Sequence, residues 1–186
     1  GLPFRQHWDY SAAGVRHSVE DSLQRLGLDR LDAAFVHDCD AATHGADADT
    51  VRRQVIDETL PALHELKREG LIRAVGLGVN DVQVVLDVLR EADLDVLLLA
   101  GRCSLLDHSA LPELLPLCVQ RGVRIALGGA FNSGLLATGT RHAESGAREP
   151  CPQRPPGERA RKSGVHQRGS ALVDQRVAVH VAQPRH

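Results

Sequence analysis

His37 and Asp38 stand together at the end of an apolar run, residues 31–37. An imidazole in that place can donate to a substrate oxygen, pass a proton or bind a metal, because it can carry a proton on either nitrogen near neutral pH. It can equally be held by hydrogen bonds within its own loop. His37, Asp38, Cys39, Asp40 and His44 together invite a metal reading. Consecutive residues of an extended chain point to opposite faces, however, and no standard ligand spacing is present, so these side chains are not expected to converge on one ion. Asn80 closes a second apolar run and offers both a donor and an acceptor, which suits a carboxamide partner; it can also simply cap the helix that follows. Gly128 and Gly129 open a turn that runs to Ser133. Backbone N–H groups in such a turn can hold a phosphate, with the Ser133 hydroxyl as a further donor, or the glycines can serve the turn alone.

The elements that must position these groups are four apolar runs, residues 31–37, 72–80, 95–101 and 123–129. Each ends in a small or polar group and opens onto a helix-like stretch, the signature of successive βα units in a parallel sheet or barrel. In such folds the chemistry gathers at the C-terminal ends of the strands. The spacing predicts a first helix capped by Ser11, with Val15, Val19, Leu23 and Leu26 on one side and Gly27 as its stop. Residues 38–49 read as a long polar loop. A helix over 51–69 buries Val55, Leu63 and Leu66, with a kink or restart at Pro61 and an end at Gly70. Asn80 or Asp81 opens the next helix, with Val84, Val85, Val88 and Leu89 inward. Ser109 opens the last, with Leu114, Leu115 and Val119 buried and Gly122 as its stop.

After about Thr138 the pattern stops. Residues 139–170 are crowded with Arg, Pro, Gly, Ser and Glu and show no period, and only 171–181 regains some apolar alternation. The expected organisation is one folded segment over 1–137 and an irregular, disordered tail over 138–186. The abruptness of the change suggests a tail translated out of frame.

A chain of 186 residues can hold one domain, but a complete eight-fold βα barrel needs roughly 250. The net charge of −2 calls for neither nucleic acid nor a membrane surface as partner. No apolar run approaches the roughly 20 residues that span a bilayer. The first residues are not a signal peptide and lack an initiator Met, as expected for the middle of something longer. Cys39, Cys103, Cys118 and Cys151 form no CxxC pair and fit free thiols of a reducing cytoplasm. Aromatic residues are scarce, so the core must rest on Leu, Val, Ala and Ile.

Several stretches resemble the aldo-keto reductase family. They are Asp9-Tyr10-Ser11, the run from Glu20 through Ser22-Leu23-Gln24-Arg25-Leu26-Gly27-Leu28-Asp29 to Asp32, and His37-Asp38. Lys67-Arg68-Glu69-Gly70-Leu71-Ile72-Arg73-Ala74-Val75-Gly76 and Phe131-Asn132-Ser133-Gly134-Leu135-Leu136 continue the likeness. Within the family, residues 101–107 and 128–136 look most like the branch that holds aldose and pyridoxal dehydrogenases. The resemblance implies an α/β fold, a partial TIM (β/α)8 barrel comprising roughly strands four to seven with their helices. It implies binding of NAD or NADP without a Rossmann motif, and a small sugar or aldehyde as substrate. His37 would be the active-site histidine that orients the substrate carbonyl, and Asn80 would bond the nicotinamide carboxamide. Gly128, Gly129, Phe131 and Ser133 would lie along the cofactor ring and pyrophosphate.

The family's catalytic Asp, Tyr and Lys belong to the first three βα units, and Tyr10 does not match that tyrosine. Losing a general acid typically costs a factor of about 10²–10⁴, so little activity is expected of this segment alone. Two alternatives stand beside the oxidoreductase. One is a non-catalytic barrel remnant that self-associates through the sheet edges at 31–37 and 123–129. The other is a module whose basic tail, residues 141–168, binds an acidic partner.

Overall fold

The computed structural model describes residues 6–132, 135–138 and 182–184. A short strand, β1 (Gln6–Trp8), leads into α1 (Ala12–Leu26) and then β2 (Ala34–His37). The chain continues through α2 (Ala41–His44), a 3₁₀ turn (Gly45–Asp47), α3 (Ala48–Gln54), a π turn (Val55–Thr59) and α4 (Leu60–Arg68). Next come β3 (Val75–Val79), α5 (Val82–Glu91), β4 (Val96–Ala100), α6 (Leu114–Arg121) and β5 (Arg124–Gly128). A single turn, α7 (Leu135–Thr138), and β6 (Ala182–Pro184) complete the described elements. Strands β2, β3, β4 and β5 form one parallel sheet in chain order, while β1 and β6 pair antiparallel in a separate ribbon. The strand β6 departs from the irregular tail expected over 138–186; the rest of that tail beyond α7 lies outside the described residues.

The helix boundaries follow from local chemistry. Ser11 Oγ accepts the Gly14 amide at 3.1 Å and starts α1. Asp81, rather than Asn80, caps α5 by accepting the Gln83 and Val84 amides. Gly27 and Gly122 end α1 and α6 in the left-handed conformation that side chains disfavour.

Each strand of the sheet presents two faces. Ala34, Val36, Val75, Leu77, Val79, Leu97 and Leu99 are buried in the core with Val15 and Val19 of α1, Leu63 and Leu66 of α4, and Val85, Val88 and Leu89 of α5. The alternate residues, Phe35, His37, Gly76, Gly78, Val96, Leu98 and Ala100, lie on the opposite face. On that face β3 carries only hydrogens, and the rings of β2 occupy the space. A Cβ on Gly76 would sit 2.6 Å from Phe35 Cδ1, and one on Gly78 would sit 2.9 Å from His37 Cδ2. β3, apolar throughout, is therefore covered on this face by its neighbour's side chains.

Several expectations are corrected. The strands begin three residues later at β2 and β3, because Leu31 and Ile72 form only an isolated bridge. Residues 38–49 are not an open loop: Asp40 accepts the Thr43 amide and starts a run of helical turns. Pro61 lies in the first turn of α4, where its missing N–H is not needed, and the π turn before it absorbs the misfit. Ser109 opens no helix. Asp107 captures both its amide and its hydroxyl, so residues 109–113 turn before α6 begins. In α6 it is Cys118 that is buried, and Val119 is 82% exposed.

At the N-terminal end of the strands Lys67 Nζ donates to both carboxylate oxygens of Asp95 at 2.7 Å, and Asp95 Oδ2 accepts the Val75 amide at 2.8 Å. Burial works to raise this carboxyl, but the Lys67 hydrogen bond, the Val75 amide and the Lys67 charge together hold it below its usual value. A carboxyl lowered by folding adds stability above its unfolded pKa and loses it as pH falls through the folded one. Asp95→Asn is expected to cost about 1 kcal/mol at neutral pH in urea unfolding, solvent screening included. The difference from the unaltered chain should shrink as pH drops below about 4. Gly76→Ala is expected to cost about 1–3 kcal/mol in the same measurement, partly recovered by adding Phe35→Leu, which withdraws the ring.

Candidate functional site

His37 is the last residue of β2 and pairs in register with Gly78. Its Nδ1 is buried and lies 2.7 Å from Asp38 Oδ1, while the side chain as a whole keeps 30% of its exposure. Asp38 takes a left-handed backbone, φ 51°, a conformation Asp tolerates better than most residues. This turn brings the carboxylate back beside the imidazole of the preceding residue. Cys39 and Asp40 are buried, and the Asp40 carboxylate is engaged in its helix cap, accepting the Thr43 amide. Burial pushes the Cys39 thiol up to about 12, so it is not a nucleophile at neutral pH. Among the described residues no three His, Cys, Asp or Glu side chains gather as a metal site.

Behind His37 stands a group the sequence reading passed over. The Tyr10 hydroxyl meets the backbone oxygens of His37 and Asp38 at 3.0 and 3.2 Å, and His44 Nε2 at 3.0 Å. Its ring stacks on Trp8 at a centroid distance of 6.1 Å, and His44 stands edge-on to both. Thr59, in the π turn, donates its hydroxyl to the Tyr10 backbone oxygen. Burial, followed by the nearby Cys39 and the charges of Asp38 and Asp40, raises the Tyr10 hydroxyl's pKa, so it stays protonated and remains a donor. The signal for this cluster was compositional: the chain has one Trp and one Tyr, two positions apart.

The other candidates lie along the same edge. Asn80 follows the end of β3, exposed, with its side chain outside the α5 cap. Arg102 ties this corner to the next: its Nε donates to the Asn80 backbone oxygen at 2.5 Å and its Nη1 to Asp107 Oδ2 at 3.2 Å. The Ser109 hydroxyl and amide, ahead of Arg102, pull the Asp107 carboxyl down to about 2. Gly128 pairs with Ala100, and the Gly101 amide donates to the Gly128 oxygen at 2.9 Å. A Cβ on Gly129 would lie 3.3 Å from Gly101 N, so this glycine serves close contact between two loops as well as a positive φ of 64°. Phe131 is 65% exposed, and Asn132 turns the chain with a φ of 48°. Ser133 lies outside the described residues. From His37 across β3 and β4 to Gly128 is three strand spacings, roughly 14 Å. One edge therefore holds an imidazole backed by a carboxylate, a carboxamide and a floor of small residues, Ala100, Gly101, Gly128 and Gly129.

Residues 3–167 match the model of the aldo/keto reductase family. The chain is 47% identical over 139 residues to a pyridoxal 4-dehydrogenase from Microbacterium luteolum, covering 74% of this chain and 40% of that protein. It is 38% identical over 133 residues to a D-threo-aldose 1-dehydrogenase from a Pseudomonas species, covering 72% of this chain and 38% of the relative. Among solved structures, the holo form of an aldo-keto reductase from Bacillus halodurans superimposes with a TM-score of 0.56 at 30% identity, over 78% of this chain and 42% of the other. The chain thus spans about two fifths of the length of these relatives. It belongs to the aldo/keto reductase family, and its four parallel strands with their crossover helices are part of a TIM barrel.

Proposed function

We propose that this chain carries the substrate-orienting histidine and part of the nicotinamide floor of an NAD- or NADP-dependent oxidoreductase acting on an aldose or a small aldehyde. The observation that carries the reading is the common strand edge on which His37, Asn80 and the four small residues at the ends of β4 and β5 lie. The names of the relatives, dehydrogenases of an aldose and of pyridoxal, supply the substrate class. The edge suits a flat, amide-bearing ring. Ala100, Gly101, Gly128 and Gly129 leave no side chain larger than a methyl over that floor, and Asn80 offers a donor and an acceptor beside it. Bound there, the nicotinamide would supply or take up hydride at the carbonyl carbon. His37 meets the substrate oxygen, Asn80 holds the carboxamide, and Gly128, Gly129, Phe131 and Ser133 follow the ring and pyrophosphate.

The Asp, Tyr and Lys that the family resemblance assigns to proton transfer have no counterpart in these residues. On this reading the 186-residue chain alone turns over little substrate. Residues 1–137 are the barrel segment and 138–186 an appended tail. The setting is the cytoplasm; among the described residues no helix is long and apolar enough to cross a membrane. Titration with NADPH and NADH, followed by nucleotide fluorescence, tests the reading. Saturable binding is expected, weakened about tenfold by Asn80→Ala through loss of its hydrogen bonds. No fluorescence change with either nucleotide would overturn it.

A second reading, self-association, is favoured by one edge of the sheet. Strand β5 has no neighbour beyond it among the described residues, and Leu127 and Val119 beside it are 49% and 82% exposed. The β2 edge is less inviting, since Ala34 and Val36 are buried and Tyr10 covers the strand end. Size-exclusion chromatography with light scattering should show a mass above one chain, returning toward one chain in Leu127→Lys. A single-chain mass for the unaltered protein at high concentration counts against it.

A further inference from the structure

We propose that the side-chain oxygen of Asn132 accepts a hydrogen bond from a ribose hydroxyl on the nicotinamide side of a bound dinucleotide. The inference rests on the reading of the strand edge as a nicotinamide floor, and it deepens that reading. Asn132 Oδ1 is buried and receives no donor from the described residues. Buried acceptors in folded proteins are nearly always paired, because an unpaired one has lost its water and gained nothing in return. The rest of the residue is committed. Its amide donates to the Gly129 oxygen at 2.9 Å, and its backbone oxygen accepts the Leu135 amide at 3.2 Å. The turn and the start of α7 are therefore made by the backbone, and the carboxamide oxygen takes part in neither.

Nor does the backbone call for asparagine. With a φ of 48° the position is left-handed, a conformation that glycine adopts without strain. The same edge meets that demand with glycine at Gly101 and Gly129. Among the described residues only Asp38 and Asn132 carry a side chain at positive φ, and both follow strand ends, β2 and β5. Asn132 thus keeps a carboxamide where the turn itself needs none.

The type of atom limits the ligand. A pyrophosphate, ionised at neutral pH, offers oxygens that accept and none that donate, so it cannot satisfy an amide oxygen. The nicotinamide ring donates only through its carboxamide, which the proposed function gives to Asn80. A hydroxyl remains. In the dinucleotide a ribose is bonded directly to the ring, and in the protein the Asn132 amide is bonded to Gly129 of the floor. The hydroxyls nearest the ring thus meet the acceptor nearest the floor.

Calorimetric titration of the full chain with ADP-ribose and with ADP isolates that sugar, since the two share adenosine and pyrophosphate and neither carries nicotinamide. The unaltered chain should bind ADP-ribose about tenfold more tightly than ADP. Asn132→Gly suits the left-handed turn and removes the acceptor. It should weaken ADP-ribose about tenfold and leave ADP unchanged, so that the preference disappears. Its urea midpoint should equal or exceed that of the unaltered chain, because the oxygen holds nothing in the free protein. Equal affinity for the two ligands in the unaltered chain overturns the proposal, as does a preference that survives Asn132→Gly. Equal weakening of both ligands, or a lowered urea midpoint, overturns it too. NADH, titrated by fluorescence with no substrate sugar present, assigns the hydroxyl to the nucleotide if Asn132→Gly weakens it about tenfold. NADH that binds both forms equally removes this proposal alone. NADH that binds neither form removes the oxidoreductase reading together with it.

Discussion

Parallel strands can be joined only by a crossover, and every crossover in this sheet passes through helix. Two things depend on that constraint. All four carboxyl ends come to one edge, so groups from distant parts of the chain meet without any loop having to seek them out. The helices take up one face of the sheet, so large apolar side chains belong there and the opposite face is left to be filled differently. It is filled sideways. Phe35 and His37 lean across β3, which has glycine at both facing positions. The placement of the histidine is thus a property of two strands, and the glycines of β3 belong to the site although they carry no functional group.

A second dependence runs from the helix layer to the strand mouth. The π turn that absorbs the Pro61 misfit also contains Thr59, whose hydroxyl engages the backbone of Tyr10. Tyr10 in turn holds the two carbonyls that follow β2. An irregularity in a crossover helix and the conformation of the candidate catalytic loop are therefore joined by three hydrogen bonds. Arg102 does similar work farther along the edge, linking the corner after β3 to the turn after β4.

Much of the fold was legible because its signals are local. Ser11, Gly27 and Gly122 mark helix ends through their own backbone and side-chain chemistry. The inward positions of α5 follow from a 3.6-residue period that the packing obeys. What escaped was set by contacts distant in sequence. Tyr10 lies 27 residues from His37, and nothing in its neighbourhood announces that its hydroxyl will reach the end of β2. The polar stretch after Asp38 reads as a loop because composition reports solvent exposure, and an exposed helical turn looks the same. Val119 has the apolar character of a core residue but falls on the exposed side of a helix that begins five residues later than its sequence suggests. His37, Asn80 and the paired glycines could be placed at strand ends from the sequence. Their neighbours could not.

The stacking of Trp8 on Tyr10 has an optical consequence. These are the only tryptophan and the only tyrosine in the chain, and they lie beside the candidate site. Near-ultraviolet absorption, circular dichroism and emission therefore originate almost wholly from one end of the sheet. The molecule carries its own chromophore where His37 and Asp38 are held, and a spectrum of the whole protein is in effect a spectrum of that corner.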